Sequence, residues 1–206
     1  SYVCLHIGLN GSARDLGLKN TNLWIYPGYD HDQNVQNFIQ DPEADFPVVY
    51  VSFPSAKDET WDQDHAGYAT MEAITMARWN WYTQWQELPW KKRGELYENE
   101  KKKLSRRIMD VVHRHVPGIK DAIDYLELST PLTVRDLANY QQGEMYGVYH
   151  TPQRFRQRWL KPRTEIKNLF LTGQDVTTAG VTSALFSGLL TASTVLKKDL
   201  TNMLKS

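Results

Sequence analysis

The segment Leu171-Thr172-Gly173-Gln174-Asp175-Val176-Thr177-Thr178-Ala179-Gly180-Val181-Thr182-Ser183-Ala184-Leu185-Phe186-Ser187-Gly188 constrains the chain most. Asn168 to Thr172 reads as a short apolar strand, and Gly173 and Gly180 bracket a polar turn. From Val181 to about Leu204 a helical stripe runs through Val181, Leu185, Leu189, Ala192, Leu196 and Leu200. Part of this helix is small (Ala184, Ser187, Gly188, Ala192, Ser193). A helical glycine costs about 1 kcal/mol relative to alanine, so Gly188 predicts close approach of a backbone or a ligand. The N–H groups near Gly180 to Ser183 have no partner within the helix and carry the positive end of its dipole. Such a terminus suits an anion or an electron-rich carbonyl. Gly180 lets a flat ligand approach the backbone, and Asp175 can accept hydrogen bonds from ligand hydroxyls. The same residues also describe a plain strand–helix connection with a capping Asp and packing glycines; both readings stay open at this point.

Upstream the chain reads as α+β. Tyr2 to Leu9 alternates, with Val3, Leu5, Ile7 and Leu9 on one face and Cys4 and His6 on the other. Asn22 to Tyr26, Phe46 to Pro54 and Ile123 to Leu128 read as further strands; Thr70 to Ala77 is a fourth, although Met, Glu and Ala favour helix as much. A mixed, largely antiparallel sheet is expected within residues 1–130. A helix is expected over Glu95 to His115 on the spacing of Tyr97, Leu104, Ile108, Val111 and Val112, ended by Val116-Pro117-Gly118. Asn139 to His150, rich in Gly and Tyr, reads as a loop.

Composition excludes several classes. Among 206 residues, 24 Lys and Arg balance 24 Asp and Glu, so no basic excess points to nucleic acid. The single cysteine, Cys4, excludes an internal disulfide framework and a multi-cysteine zinc site. No apolar run reaches the roughly 20 residues of a spanning helix. The N-terminus lacks Met and begins in strand-like sequence, from which a cut chain with material upstream is expected.

Several motifs together carry a resemblance. They are Gly173, Gln174, Asp175, Gly180, Ser187 and Gly188; the lead-in Trp159 to Leu169; Ser52-Phe53-Pro54-Ser55; and Thr130-Pro131-Leu132-Thr133. The chain resembles the C-terminal part of the phytoene desaturase, carotenoid isomerase and retinol saturase group, FAD-dependent enzymes within the wider amine-oxidase-like flavoproteins; the retinol saturases are the nearest likeness. The resemblance implies that Gly173 and Asp175 serve the cofactor, Asp175 at the ribityl and pyrophosphate region. It implies that Gly180, Val181 and Thr182 lie near the flavin, their N–H groups toward its pyrimidine carbonyl. Ser183 stands where many relatives have Gly. The Gly-x-Gly-x-x-Gly unit of the group is missing, since Gly8, Gly11 and Gly17 lack that spacing.

Residues 1–164 are therefore expected to be a substrate-binding domain. Residues 165–206 are expected to be the terminal strand and helix of a Rossmann-like FAD-binding fold whose N-terminal half is missing, so that this piece alone neither holds FAD well nor turns over. The implied substrate is a conjugated isoprenoid, a retinoid or carotenoid, that is saturated, desaturated or isomerised. An amine-oxidase-like flavoenzyme and a non-catalytic lipid- or membrane-binding module are the alternatives.

Within the Gly-Tyr loop, Glu144, Tyr146, Tyr149 and His150 fall on the substrate side of the resemblance, and Glu144 and Tyr149 are candidate proton donors for a saturation. Trp79, Trp81, Trp85 and Trp90 beside Lys91-Lys92-Arg93 fit either a membrane interface or, as the favoured reading, a core aromatic cluster next to a solvated charge run. Lys101-Lys102-Lys103 with Arg106 and Arg107 lie among Glu95, Glu98 and Glu100, so a mixed solvated face is expected rather than a nucleic-acid surface. His113 and His115 point apart on a helix and Asp30-His31-Asp32 reads as a polar turn; no metal site is expected. The stripe on the last helix, uncovered without its FAD domain, predicts a homo-oligomer through that face. A cytoplasmic or peripherally membrane-associated location is expected.

Overall fold

The structure, a computed structural model, describes residues 1–202. It consists of two compact units, Ser1–Glu144 and Met145–Ser206.

In the first unit β1 (Tyr2–Asn10) is the strand on which the others assemble. Its alternation buries Val3, Leu5, Ile7 and Leu9 in the core and turns His6 and Gly8 to the other face. After β2 (Leu23–Ile25), α1 (His31–Gln40), β3 (Val49–Ser52) and the single turns α2 (Pro54–Lys57) and α3 (Trp61–Asp64) comes β4 (Tyr68–Met76). Helix α4 (Glu95–His115), β5 (Ile123–Ser129) and α5 (Pro131–Ala138) complete the unit. The sheet order is β2-β3-β4-β1-β5 and every neighbouring pair is antiparallel.

The sheet is thus not mixed. Strands β4 and β5 do run in the same direction, but β1 lies between them, antiparallel to both. Helix α4 makes the crossover, sending Tyr97, Leu104, Ile108, Met109 and Val112 into the core with Leu5, Ile7 and Leu128. The helix-prone residues of β4 become a strand because β1 and β3 hydrogen-bond it on both sides, a tertiary demand that outweighs propensity.

Trp79, Trp81 and Trp85 pack against the core, with Trp81 edge-on to Phe38 and Trp85 edge-on to Tyr97; Trp90 is exposed. Arg93 turns inward to pair with Asp136. On the basic face of α4, Lys101 pairs with Glu127, Lys103 with Glu43, and Arg107 donates to the carbonyls of Pro42 and Ala44. This is the mixed solvated face the charge pattern predicts.

The second unit holds the single turn α6 (Pro152–Phe155) and α7 (Val181–Leu196). The strand expected at Asn168 to Thr172 does not form; only an antiparallel bridge joins Arg163 to Phe170. Residues 162–164 run beside it, with Leu171 N–H donating to Pro162 O at 2.8 Å and Thr164 N–H to Leu169 O at 3.4 Å, and this pairing is too short to make a strand. Of the strand and helix expected at 165–206, only the helix forms among the described residues. That helix is shorter than its stripe suggests. Lys197 adopts a left-handed conformation (φ 52°) and the Lys198 N–H donates to Ser193 O, closing the last turn. Leu200 lies past the helix, and the expected extension to Leu204 runs outside the described residues. Val181, Leu185 and Leu196 of the stripe are exposed.

If α4 is the core's second layer, Ile108→Ala lowers the unfolding free energy by about 2–5 kcal/mol, whereas Lys102→Ala stays within about 0.5 kcal/mol. Urea denaturation measures both; equal midpoints would contradict the layer assignment.

Candidate functional site

Two places in the molecule concentrate polar chemistry, one in each unit. In the second unit, the residues that sequence reasoning singles out lie in one turn, Gly173 to Thr182, leading into α7. Gly173 (φ 101°) and Gly180 (φ 109°) hold conformations that side-chain-bearing residues rarely adopt. No side chain caps the first turn of α7, so its N–H groups present the positive dipole end. Val181 and Thr182 are exposed there. A Cβ built on Gly173, Gly180 or Gly188 would meet nothing within 4 Å. The space beside these glycines is open, and among the described residues no atom makes the close approach expected at Gly188.

The turn is held by residues its own sequence does not reveal. Arg154, 6% exposed, threads beneath it and donates from Nη1 to Thr177 O at 3.0 Å and from Nη2 to Asp175 O at 2.7 Å and Gln174 O at 3.3 Å. Three backbone carbonyls thus converge on one guanidinium. His150 holds the far end: Ala179 N–H donates to Nε2 at 2.8 Å. That bond makes Nε2 the acceptor, so Nδ1 carries the proton and donates to Val148 O at 3.0 Å. Gly180 N–H donates to Gln174 Oε1 at 3.3 Å, and Gly173 N–H to Ser187 Oγ at 2.9 Å, a fully buried hydroxyl. Ser183, the departure from Gly, joins its hydroxyl to that of Thr178 and ties turn to helix.

Asp175, expected to serve ligand hydroxyls, accepts from Val148 N–H at 3.0 Å through Oδ1. Gly147 makes this possible: with φ 70°, a Cβ there would stand 2.6 Å from Asp175 Oδ1. Tyr149 projects into solvent at 83% exposure, while Glu144 closes the first unit and accepts from Gln142 N–H at 2.7 Å. The two candidate proton donors therefore sit in different units.

The second place is the face of the sheet opposite α4. Register puts Trp24, Tyr50, Tyr68 and Tyr125 on it, with the Trp24 and Tyr50 rings 4.7 Å apart. Gly8 leaves room for Tyr125, whose Cβ is 3.0 Å from where a Cβ on Gly8 would be. Among these rings lies a polar group that no linear spacing displays. His6 faces Glu72 across the β1–β4 pair and its Nδ1 lies 3.5 Å from Glu72 Oε1. Cys4 Sγ is 3.9 Å from the same nitrogen, and Nε2 is 3.0 Å from Ser129 Oγ. The bond to Cys4 and then that to Glu72 hold a proton on the imidazole, raising its pKa to about 10 against the opposing effect of burial. The Glu72 carboxyl is held below its usual range chiefly by its bond to His6.

No protein-family model matches the chain. The all-trans-retinol 13,14-reductase of Danio rerio is 32% identical over 207 residues, 97% of this chain. The Homo sapiens protein of the same name is 32% identical over 212 residues, 100% of this chain. The chain is homologous to the all-trans-retinol 13,14-reductases. This bears out the retinol-saturase resemblance of its motifs. A Danio rerio relative named an inactive all-trans-retinol 13,14-reductase is also 32% identical, over 198 residues and 94% of the chain. The chain spans about a third of the length of these relatives, 34% of the first two and 33% of the third.

Gly147→Ala should force a left-handed alanine onto the Asp175 carboxylate and destabilise the second unit by at least about 1 kcal/mol. Amide exchange reads it directly: protection of the Val148 N–H should fall, and unchanged protection would mean that Asp175 is not anchored there.

Proposed function

We propose that this chain is the C-terminal part of an FAD-dependent oxidoreductase that saturates the 13,14 double bond of a retinoid. The observation that carries the reading is the similarity to all-trans-retinol 13,14-reductases over nearly the whole chain. Residues 1–164 serve as its substrate-binding domain and residues 165–206 return to its FAD-binding domain. The catalytic centre is completed by the N-terminal FAD half, which carries the pyrophosphate-binding glycines this chain lacks.

The residues present fit a flavin. The uncapped start of α7 offers N–H groups to a carbonyl on which negative charge develops, and open space beside Gly173 and Gly180 leaves room for a flat ring. Bound there, FAD supplies the two-electron chemistry. The chain's own residues orient it. Val181 and Thr182 present backbone donors, Gly180 leaves the space beside them open, Asp175 fixes the entrance of the turn, and Arg154 keeps the turn's carbonyls pointing away from the ligand side. The aromatic face of the sheet suits a conjugated polyene, because Trp24, Tyr50 and Tyr125 offer apolar area beside the His6–Glu72 cluster. An amine substrate would call for an aromatic cage around a cation, and none of the relatives described above bears an amine-oxidase name. Among the described residues no helix is long and apolar enough to cross a membrane. A cytoplasmic or peripheral location, with retinoid drawn from a membrane surface, accords with that, and the exposed stripe of α7 is the face for the FAD domain or for a second copy.

The test is the complete parent protein, purified with its flavin and given all-trans-retinol and a two-electron reductant. The expected product is the 13,14-dihydro retinoid. Flavin bound with retinol unchanged would contradict the substrate, and absence of flavin would contradict the cofactor. Asp175→Asn should weaken flavin retention roughly 10- to 100-fold, the loss expected for one charged hydrogen bond.

A further inference from the structure

The face of the sheet opposite α4 holds a side-chain set that needs no flavin to have a function. Cys4 and His6 are two residues apart on β1 and so project on the same side, and Glu72 stands directly across from His6 on β4. A thiol, an imidazole nitrogen and a carboxylate oxygen all lie within 4.8 Å of one another. We propose that Cys4, His6 and Glu72 form a binding site for a divalent cation of borderline softness, zinc(II) being the representative of its class.

Donor chemistry, geometry and orientation each support this. Sulfur, nitrogen and oxygen together are the ligand set of zinc, and a thiolate with a carboxylate neutralises a divalent charge. The separations of 3.9 Å from Sγ to Nδ1 and 3.5 Å from Nδ1 to Oε1 are close to the edges of a zinc tetrahedron, about 3.3–3.6 Å from ordinary bond lengths. The third separation, from Sγ to the Glu72 carboxylate, is within 4.8 Å, so a rotation of the half-exposed Glu72 side chain closes the set. The second nitrogen of His6 supplies the orientation. When Nε2–H donates to Ser129 Oγ at 3.0 Å, the Nδ1 lone pair points to the place where the other two donors converge. Strands β1 and β4 are each paired on both sides, so all three ligands sit on internal strands of the sheet. The Cys4 sulfur is nearly buried, whereas the His6 and Glu72 side chains are about 40% exposed. Three protein ligands with one open side leave a fourth position for water or a ligand oxygen, the arrangement of an exchangeable rather than a closed site.

The experiment uses the full chain, reduced and stripped of metal, titrated with cobalt(II) and then with zinc(II). One equivalent of cobalt(II) is expected to bind, with a thiolate-to-cobalt charge-transfer band in the near ultraviolet and the strong visible absorption of a tetrahedral ion. Zinc(II) should displace it. Cys4→Ser should abolish the charge-transfer band, Glu72→Gln should weaken binding, and Ser129→Ala should weaken it roughly 10- to 100-fold while leaving all three ligands in place. Circular dichroism of each variant confirms that the sheet is intact. The proposal is overturned if cobalt(II) gives no charge-transfer band with the unsubstituted chain, or if Cys4→Ser and Glu72→Gln, correctly folded, bind the metal unchanged; the cluster then holds only a proton. Neither result bears on retinoid turnover, which is read separately on the parent protein.

Discussion

Strand β1 is the constraint on which the first unit depends. It is hydrogen-bonded to β4 on one side and β5 on the other, and its two-residue period divides the molecule into two chemistries. Val3, Leu5, Ile7 and Leu9 go to the core, where α4 seals them from water. Cys4, His6 and Gly8 go to the open face, where aromatic rings and one polar cluster gather. A slip of one residue in this register would exchange the two sets. It would bury an imidazole and expose four aliphatic side chains, so the pairing that builds the core also places the polar cluster.

The second unit is organised by hydrogen bonds rather than by a core. Its turn between Gly173 and Thr182 is held from outside by Arg154, His150 and the Gly147–Val148 backbone, and from the helix side by Ser187. Exposed apolar residues on α7 are the complement of this economy. Among the described residues Val181, Leu185 and Leu196 have no layer of this unit above them, the exposed apolar face that the proposed docking of a further domain would cover.

Much of the fold was legible in the sequence because it rests on period and punctuation. The alternation in β1, the three-and-four spacing in α4 and the Pro-Gly stop after it all formed where expected. The turn into α7 was legible as a motif, and the homology to the retinol reductases accords with it. What was not legible depended on partners distant in the sequence. The Asn168 to Thr172 run has the apolar residues of a strand but pairs only briefly, through the Arg163–Phe170 bridge. The Cys4–His6–Glu72 cluster exists only because β4 returns beside β1 in one register, and Asp175 finds Val148 only because Gly147 has no side chain. The sheet expected to be mixed is antiparallel throughout, because β1 lies between β4 and β5.

The central claim is the proposal that the open face of the five-stranded sheet, carrying Trp24, Tyr50 and Tyr125, receives the polyene. The most direct test is photocrosslinking of the parent protein with a photoreactive all-trans-retinol analogue, followed by peptide mass spectrometry and competition with unlabelled retinol. Competable adducts on β1, β3 and β4 residues of the open face, such as Tyr50, are the predicted result. Adducts confined to the α4 side of the sheet, or labelling of the open face that retinol does not displace, would contradict it.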